Sequence, residues 1–463
     1  MLEGVHFQVK VENFLLYGSE KFWILNHKLK NWRLRTVIVS PNISNYYGQL
    51  ALGFSSINRP VLCYFMGFNR YEADCLKESK FLNLSTINET KSEYCCFVIN
   101  KMHYFVQQFI RFIWLITVGL TYHNFVFGYG HTLLFKNLDL LILKIFGKKV
   151  VVIMAHGSEA RPAYLDGAFC FNLKLDKTDL RVIKKRTKNT YMTVKRIQNF
   201  TKYVIGHPNN FHFARKKFIN MEYIGQPVGV HVEEIRQKAH VSKEQSSRIR
   251  VIHAPSQPET KGSTAIRLAV ESMQDLFSID FIELRGLGPE EVKAVMKSSD
   301  LLIDQIYADA PVSGVTLEAA SYGIPSVILG YYPKADKSIG KVYPPVIHGD
   351  PEQLVEVIEK CFRDSAYREW IGKSAKIYVE QFMSPKSIAT RLSNIFAHDI
   401  PETWWLNNES VEYLYGYGQT KQRTKQIIQL MTLEFGHESL RINHNRKLLG
   451  TFKQFINQGK NSV

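Results

Sequence analysis

The sequence lacks most of the short motifs that declare a function on their own. Its 463 residues include six cysteines, Cys63, Cys75, Cys95, Cys96, Cys170 and Cys361. None of them forms a C-x-x-C pair, and no His/Cys spacing of the zinc type occurs. Cysteines scattered so thinly point to reduced core thiols rather than a disulfide framework. There is no internal repeat or low-complexity tract to suggest a solenoid. Met1-Leu2-Glu3-Gly4 opens without a basic region followed by an apolar run, which argues against a secretory signal. The strongest membrane candidate, Phe109 to Leu120, is too short to span a bilayer and carries Arg111, so a buried helix is expected there. The chain is read as cytoplasmic.

What is present is ordinary globular composition with an unusual charge. Hydrophobic residues make up 45% and charged residues 22%, so global disorder and coiled coil are excluded. The length suits two domains plus an extension. The formal charge of +17 attracts polyanions in general: nucleic acid, anionic lipid headgroups or phosphorylated substrates. The densest basic stretch, Lys174 to Arg196, includes Lys184, Lys185, Arg186, Lys188 and Lys195. As a charge run alone it reads as a solvated face. No nucleic-acid-binding module accompanies it, so no specific nucleic acid is expected.

Two series of strands and helices alternate along the chain. After a lead-in at 1–34, strands are expected at Arg35–Ser40, Val61–Met66 and Lys149–Met154, with helices at Met102–Thr121 and Leu138–Phe146. The same grammar restarts near residue 249. Strands are expected at Arg250–Ala254, Ile279–Leu284, Asp300–Gln305 and Ser326–Leu329, with helices at Pro289–Lys297 and Val315–Tyr322. Ser263 can cap a helix running to about Leu276. The break between Gly225 and Val241 then divides an α/β chain into two Rossmann-like domains, 35–235 and 236–395, facing a cleft. A helical extension, 396–463, carries Trp404-Trp405 and Tyr413-Leu414-Tyr415. Buried aromatics there would mean packing, and exposed ones a partner.

The most informative block is Val251 to Gly262, VIHAPSQPETKG, read with Ala308 to Pro325, ADAPVSGVTLEAASYGIP. The first places Lys261 and Gly262 at a helix start, where an ammonium and backbone N–H groups can meet a diphosphate. The second puts Ser313 and Gly314 before a helix with Glu318 inside it. A carboxylate there can accept both hydroxyls of a ribose. Joined, the pieces describe a nucleotide-diphosphate site.

These residues resemble the nucleotide-sugar-binding domain of glycosyltransferase family 4, a GT-B group of retaining enzymes. The matching parts are His253-Ala254-Pro255-Ser256, Lys261-Gly262, Asp300 to Gln305, and Glu318-Ala319-Ala320 with Gly323 and Pro325. In the N-terminal half, Gly147-Lys148-Lys149 leads through a strand to His156-Gly157-Ser158-Glu159-Ala160-Arg161. The resemblance covers roughly residues 125 to 395. It implies that Lys261 neutralises the leaving diphosphate, Glu318 binds the donor ribose, and Ser256, Gly262, Ser313 and Gly314 complete the donor site. It places His156 beside the reacting sugar, with Gly157, Ser158, Glu159 and Arg161 on the acceptor side, where Arg161 can contact phosphate or acceptor. Two positions depart from the pattern. Many members carry an acid where Ala310 stands, with Asp309 one place earlier here, and an arginine where Ser256 stands. Asp309 is the candidate substitute for that acid.

The function implied is transfer of a sugar from a nucleotide-sugar to a polysaccharide or lipid-linked acceptor, within cell-surface glycan assembly. No D-x-D motif stands out, so neither a metal nor another cofactor is expected. A peripheral contact with an anionic membrane would explain the basic stretch. The rivals are a catalytically degenerate GT-B protein, a polyanion-binding protein, and a GT-B-like sugar-nucleotide epimerase. The last would need carboxylates around the sugar ring. His207, His212 and His231 match no metal-ligand motif and are assigned no role.

Overall fold

A computed structural model describes residues 34–41, 45–65, 80–81, 96–229, 248–331 and 345–458. The expected lead-in, apart from Leu34, lies outside the described residues, as do most of the break at 225–241 and His231.

Two sheets carry the fold. The first is built from β1 (Thr36–Ser40), β2 (Val61–Phe65), β3 (Lys80–Phe81), β4 (Asn124–Gly128), β5 (Lys149–Met154), β6 (Tyr203–Gly206) and β7 (Phe218–Asn220). A last strand, β13 (Trp405–Leu406), completes the order β13-β7-β6-β5-β4-β1-β2-β3. Its pairs are parallel, except that β13 runs antiparallel to β7. Continuous apolar runs such as KVVVIM in β5 suit a strand covered on both faces. One face is covered by α1 (Tyr46–Ser56). The other is covered by α2 (Cys96–Thr117), α3 (Leu138–Ile145) and α4 (Lys177–Phe200).

The second sheet holds β8 (Ile249–His253), β9 (Ile279–Glu283), β10 (Leu301–Ala308), β11 (Ser326–Gly330) and β12 (Ile347–Gly349) in the order β12-β11-β10-β8-β9, all parallel. Its helices are α5 (Ser263–Glu271), α6 (Pro289–Lys297), α7 (Gly314–Ser321), α8 (Leu354–Arg363) and α9 (Ser365–Phe382). The strand order reverses between β1 and β4 in the first sheet and between β8 and β10 in the second. Ligands of such sheets bind at these switch points, beyond the carboxyl ends of the strands.

Two local expectations need correction. Gly262, not Ser263, is the cap of α5: it takes φ 75°, and Ser263 already stands inside the helix. The Ser263 hydroxyl instead meets His253 Nε2 at 2.7 Å. The second concerns the helix expected to be buried at Phe109–Leu120. Trp114 and Leu115 of α2 are buried, but Phe105, Phe109, Phe112 and Ile116 are 68%, 65%, 40% and 41% exposed. A helix that is apolar around most of its circumference offers only one stripe to a sheet. The opposite stripe meets no core among the described residues.

The C-terminal residues complete the first unit and tie it to the second. Helix α10 (Pro385–Ala397) lies on α1, and its Ile388 and Leu392 share a core with Ile38 and Val151 of the first sheet. Helices α11 (Lys421–Phe435) and α12 (Arg446–Asn457) add Ile427, Met431 and Phe452 to the core on the opposite face. Between β13 and α11 the chain crosses from one unit to the other. Tyr417 exchanges backbone hydrogen bonds with Leu165 and Gly167, and the next N–H, that of Gly418, donates to Tyr307 O at 2.8 Å. Tyr413 is buried, and Trp404, Trp405 and Tyr415 are half-buried against the two cores of the first sheet, so these aromatics serve packing. Cys63, Cys170 and Cys361 are buried as well, and burial pushes the Cys170 and Cys361 thiols up to about 12.

Candidate functional site

Both switch points open onto one cavity of about 420 Å3. The first unit brings Tyr46 from the start of α1, Tyr129 from the end of β4 and His156 from the end of β5. The second brings Gln257 after β8, Gln305 and Asp309 from β10 and its end, and Ser313-Gly314 at the start of α7. Tyr417 enters from the C-terminal crossing segment.

The first-unit wall is aromatic. His156 Nε2 and the Tyr47 hydroxyl lie 2.8 Å apart, the Tyr46 ring meets the imidazole edge-on at 4.7 Å, and Tyr129 stacks at 6.0 Å. Burial draws the His156 imidazole down to about 4, so it is neutral near pH 7. The next turn is closed by Glu159, whose Oε1 accepts from the His156 N–H at 2.5 Å.

Burial pushes the Glu159 carboxyl up to about 7, although backbone donors and Arg161 pull it down. A carboxyl raised in the fold favours folding only while protonated. Its contribution is complete below the unfolded value of 4.5 and is lost as pH climbs toward 7. Glu159→Gln stays neutral throughout. Relative to wild type it should therefore gain about 1–3 kcal/mol between pH 4 and pH 8. Urea melts at the two pH values measure this, and a pH-independent difference would refute the buried acid.

Arg161 joins the two units. Its Nε and Nη2 donate to Asp309 Oδ2 at 3.0 and 2.6 Å, its Nη1 lies 3.6 Å from Asp166, and its guanidinium stands 4.6 Å from the Tyr417 ring centre. Burial works against the guanidinium charge, but Asp309 and Asp166 outweigh it and the pKa moves up. Lys261 is likewise buried, with Nζ donating to Asp304 Oδ1 at 2.8 Å. Burial opposes its charge, and Asp304 and Tyr417 restore it, again with a net rise. Each cation therefore rests against a carboxylate. The side-chain oxygens of Gln305 and Asn210, two buried residues of the cavity wall, have no hydrogen-bond partner, an arrangement that suits a polar ligand.

At the start of α7 the Ser313 Oγ accepts from the Thr316 N–H, and the Ser313 N–H donates to Thr316 Oγ1 at 2.7 Å. The remaining first-turn N–H groups have no intrahelical acceptor and suit an anion. Gly262 has a different task. An added Cβ would stand 2.3 Å from Ile306 Cγ1, at a backbone φ of 75°. Gly262→Ala should cost about 2–4 kcal/mol through overpacking and left-handed strain. An unchanged urea midpoint would show that β10 yields easily.

Of the residues singled out in the sequence, His156, Ser158, Arg161, Lys261, Asp309, Ser313 and Gly314 line the cavity, with Ala310 beside them. Gly157, Glu159, Ser256, Gly262 and Glu318 do not. Gly157 and Glu159 form the turn behind His156. Glu318 faces Glu290 and Lys293 of α6. Burial raises its carboxyl, with Lys293 opposing and Glu290 adding to the rise. Sequence reasoning missed His207, a cavity residue whose Nε2 lies 3.5 Å from Glu222, because it is marked by no motif. His212 is a buried structural residue whose Nε2 meets Tyr413 O at 2.6 Å. Tyr46, Tyr47 and Tyr417 belong to no motif in the sequence that would mark them for the site.

Two doubly wound units facing one cleft, with a helical C-terminal segment packed across them, make a GT-B architecture. No protein-family model matches the chain, and no curated protein matches it. Solved structures of similar layout include the glycotransferase of kitacinnamycin, at 10% identity and TM-score 0.43, covering 79% of this chain and 99% of that one. HepE of Anabaena in complex with UDP and glucose is similar at 12% identity and TM-score 0.44, covering 79% and 99%. A putative UDP-N-acetylglucosamine 2-epimerase from Listeria monocytogenes is similar at 12% identity and TM-score 0.41, covering 79% and 96%.

Proposed function

We propose that this protein is a glycosyltransferase of the family 4 kind. In this reading it moves a sugar from a nucleotide-diphosphate sugar to a polysaccharide or lipid-linked acceptor at the cytoplasmic face of a membrane, with retention. The observation that carries this is the convergence at one cavity of the α7 start, Lys261 and Arg161 opposite His156. The bond from the sugar C1 to the diphosphate breaks, and an acceptor oxygen takes C1 and releases its proton. Charge on the departing diphosphate is the main obstacle, and cations with helix N–H groups lower it. Lys261 would turn from Asp304 toward the phosphates, and Asp309 would keep Arg161 in place. Glu318 would meet the ribose only if the donor extends from the cavity along α7, past the loop that carries Ser256 and Gly262. Because protein groups do this work, EDTA should leave turnover unchanged.

The test is a thermal-shift screen of the purified protein against UDP, GDP, ADP, CMP and their sugars. A clear shift with one nucleoside diphosphate supports the donor site and names the base. A folded sample that responds to none would end the donor reading and favour the degenerate or polyanion-binding alternatives. One observation favours a second reading, a sugar-nucleotide epimerase: Asp166, Glu222 and Asp309 place carboxylates on the cavity wall. NMR of a nucleotide-sugar incubated with the protein and no acceptor separates the two, since an epimerase inverts a ring carbon without releasing nucleotide.

A further inference from the structure

The exposed side of α2 does not stand alone. Its outward residues Phe105, Phe109, Phe112 and Ile116 recur at helical spacing and form one stripe. Beside it, α3 and the turn before it expose Phe135, Leu138, Leu141 and Ile145, the last 73% exposed. The turn before α3 touches α2: the Phe135 N–H donates to Gln108 Oε1 at 2.7 Å, and the Tyr104 and Phe135 rings lie 6.3 Å apart.

The last turn of α3 leads directly into a second cavity, of about 570 Å3, at the amino ends of β5 and β6, the opposite end of the first sheet from the cleft. Lys144, Lys148, Lys149, Lys202, Lys216 and Lys217 line it, and no carboxylate does among the described residues. Lys148, Lys149 and Lys216 donate to the carbonyls of Leu120, Phe396 and Gln198, contacts that fix the ammonium groups without cancelling their charge. Outside the lining, the largely exposed Glu402 lies 3.4 Å from Lys217. Burial lowers the Lys148 ammonium and the His398 imidazole, and Lys149 and Lys202 push His398 down further. This is a concentration of positive charge bordered by projecting Ile145 and Phe146 side chains.

We infer that the α2–α3 face and the adjoining lysine cavity are a docking surface for an anionic phospholipid membrane, the apolar stripes entering the interface while the lysines meet phosphate headgroups. Aromatic and aliphatic residues on one side of paired helices, flanked by lysines, are what an interfacial helix presents to a bilayer. Nucleic acid would use the lysines and leave the aliphatic residues in water. A second copy packed about a two-fold axis would press the same lysine edge against itself. Near its other end the face adjoins the cleft. Arg111 of α2 lies close enough to His131 to lower its pKa, after the larger effect of burial, and the His131 ring stacks on Tyr129, which lines the catalytic cavity. The glycosyl-transfer reading gains from this a lipid-borne acceptor, but vesicle binding itself does not depend on that reading.

The experiment is co-sedimentation of the full chain with phosphatidylglycerol-containing and pure phosphatidylcholine vesicles at low and high salt. The wild type should bind the anionic vesicles at least tenfold more strongly and lose most of this at high salt. Phe109→Glu/Ile145→Glu should lower partitioning at least tenfold, and Lys144→Glu/Lys217→Glu should abolish the preference for anionic lipid. Thermal melts confirm that both variants are folded. Their response to nucleotides, which reports separately on the cleft, should match wild type. Wild-type protein that stays in the supernatant with anionic vesicles would overturn the proposal. So would binding that neither variant changes, or light scattering that shows a dimer which Phe109→Glu/Ile145→Glu dissociates while vesicle binding is unaffected.

Discussion

Arg161→Ala is expected to destabilise the protein by about 3–5 kcal/mol, the usual cost of breaking a buried ion pair from one side. The guanidinium is buried and spans the units, donating to Asp309 Oδ2 through Nε and Nη2 while Nη1 faces Asp166. Removing it leaves two buried carboxylates facing each other across the cleft. Asp166 keeps Arg186 at 3.7 Å, but Asp309 loses its charged partner. The cost is thus mainly that of an orphaned charge, which a second substitution should partly remove. Arg161→Ala/Asp309→Ala should recover at least half of the loss in urea unfolding. If the single variant lost under about 1 kcal/mol, water would be reaching Asp309 and the pair would not be holding the units together.

Much of the architecture could be read from local pattern. β5 was legible to the residue because Lys149–Met154 is an unbroken apolar run between a glycine turn and a polar loop. Four of the five strands of the second unit, β8 to β11, were legible to within a few residues at each end for the same reason, whereas the short edge strand β12 was not. The strand order was not, because parallel neighbours such as β1 and β4 lie far apart in sequence and leave no local trace of their register. The α2 error has a related cause: hydropathy says that a segment is apolar, not how many of its sides find a partner. At the site, Lys261 and Ser313-Gly314 announced themselves through helix-start patterns, whereas Tyr417 reaches the cavity only because the chain crosses back between the units. Glu318 shows the converse, since its motif was legible but its place off the cavity wall depends on how α7 packs.

On the glycosyl-transfer reading, Lys261→Ala should slow turnover by about a hundred- to a thousandfold, the usual loss when one preorganised charge donor is removed. Binding of the free nucleoside should change little, because an ammonium at the diphosphate acts on the leaving group. The single variant has a second effect that must be separated. It strips Asp304 of its partner, and Asp304 is buried with its other oxygen already unpartnered. Stability will therefore fall along with rate. Lys261→Ala/Asp304→Ala removes the stranded carboxylate and should restore much of the melting temperature while leaving turnover low. A double variant that regained both stability and rate would make Lys261 a structural partner of Asp304 and nothing more. A rate that stayed low in a protein as stable as wild type would place the ammonium at the breaking bond.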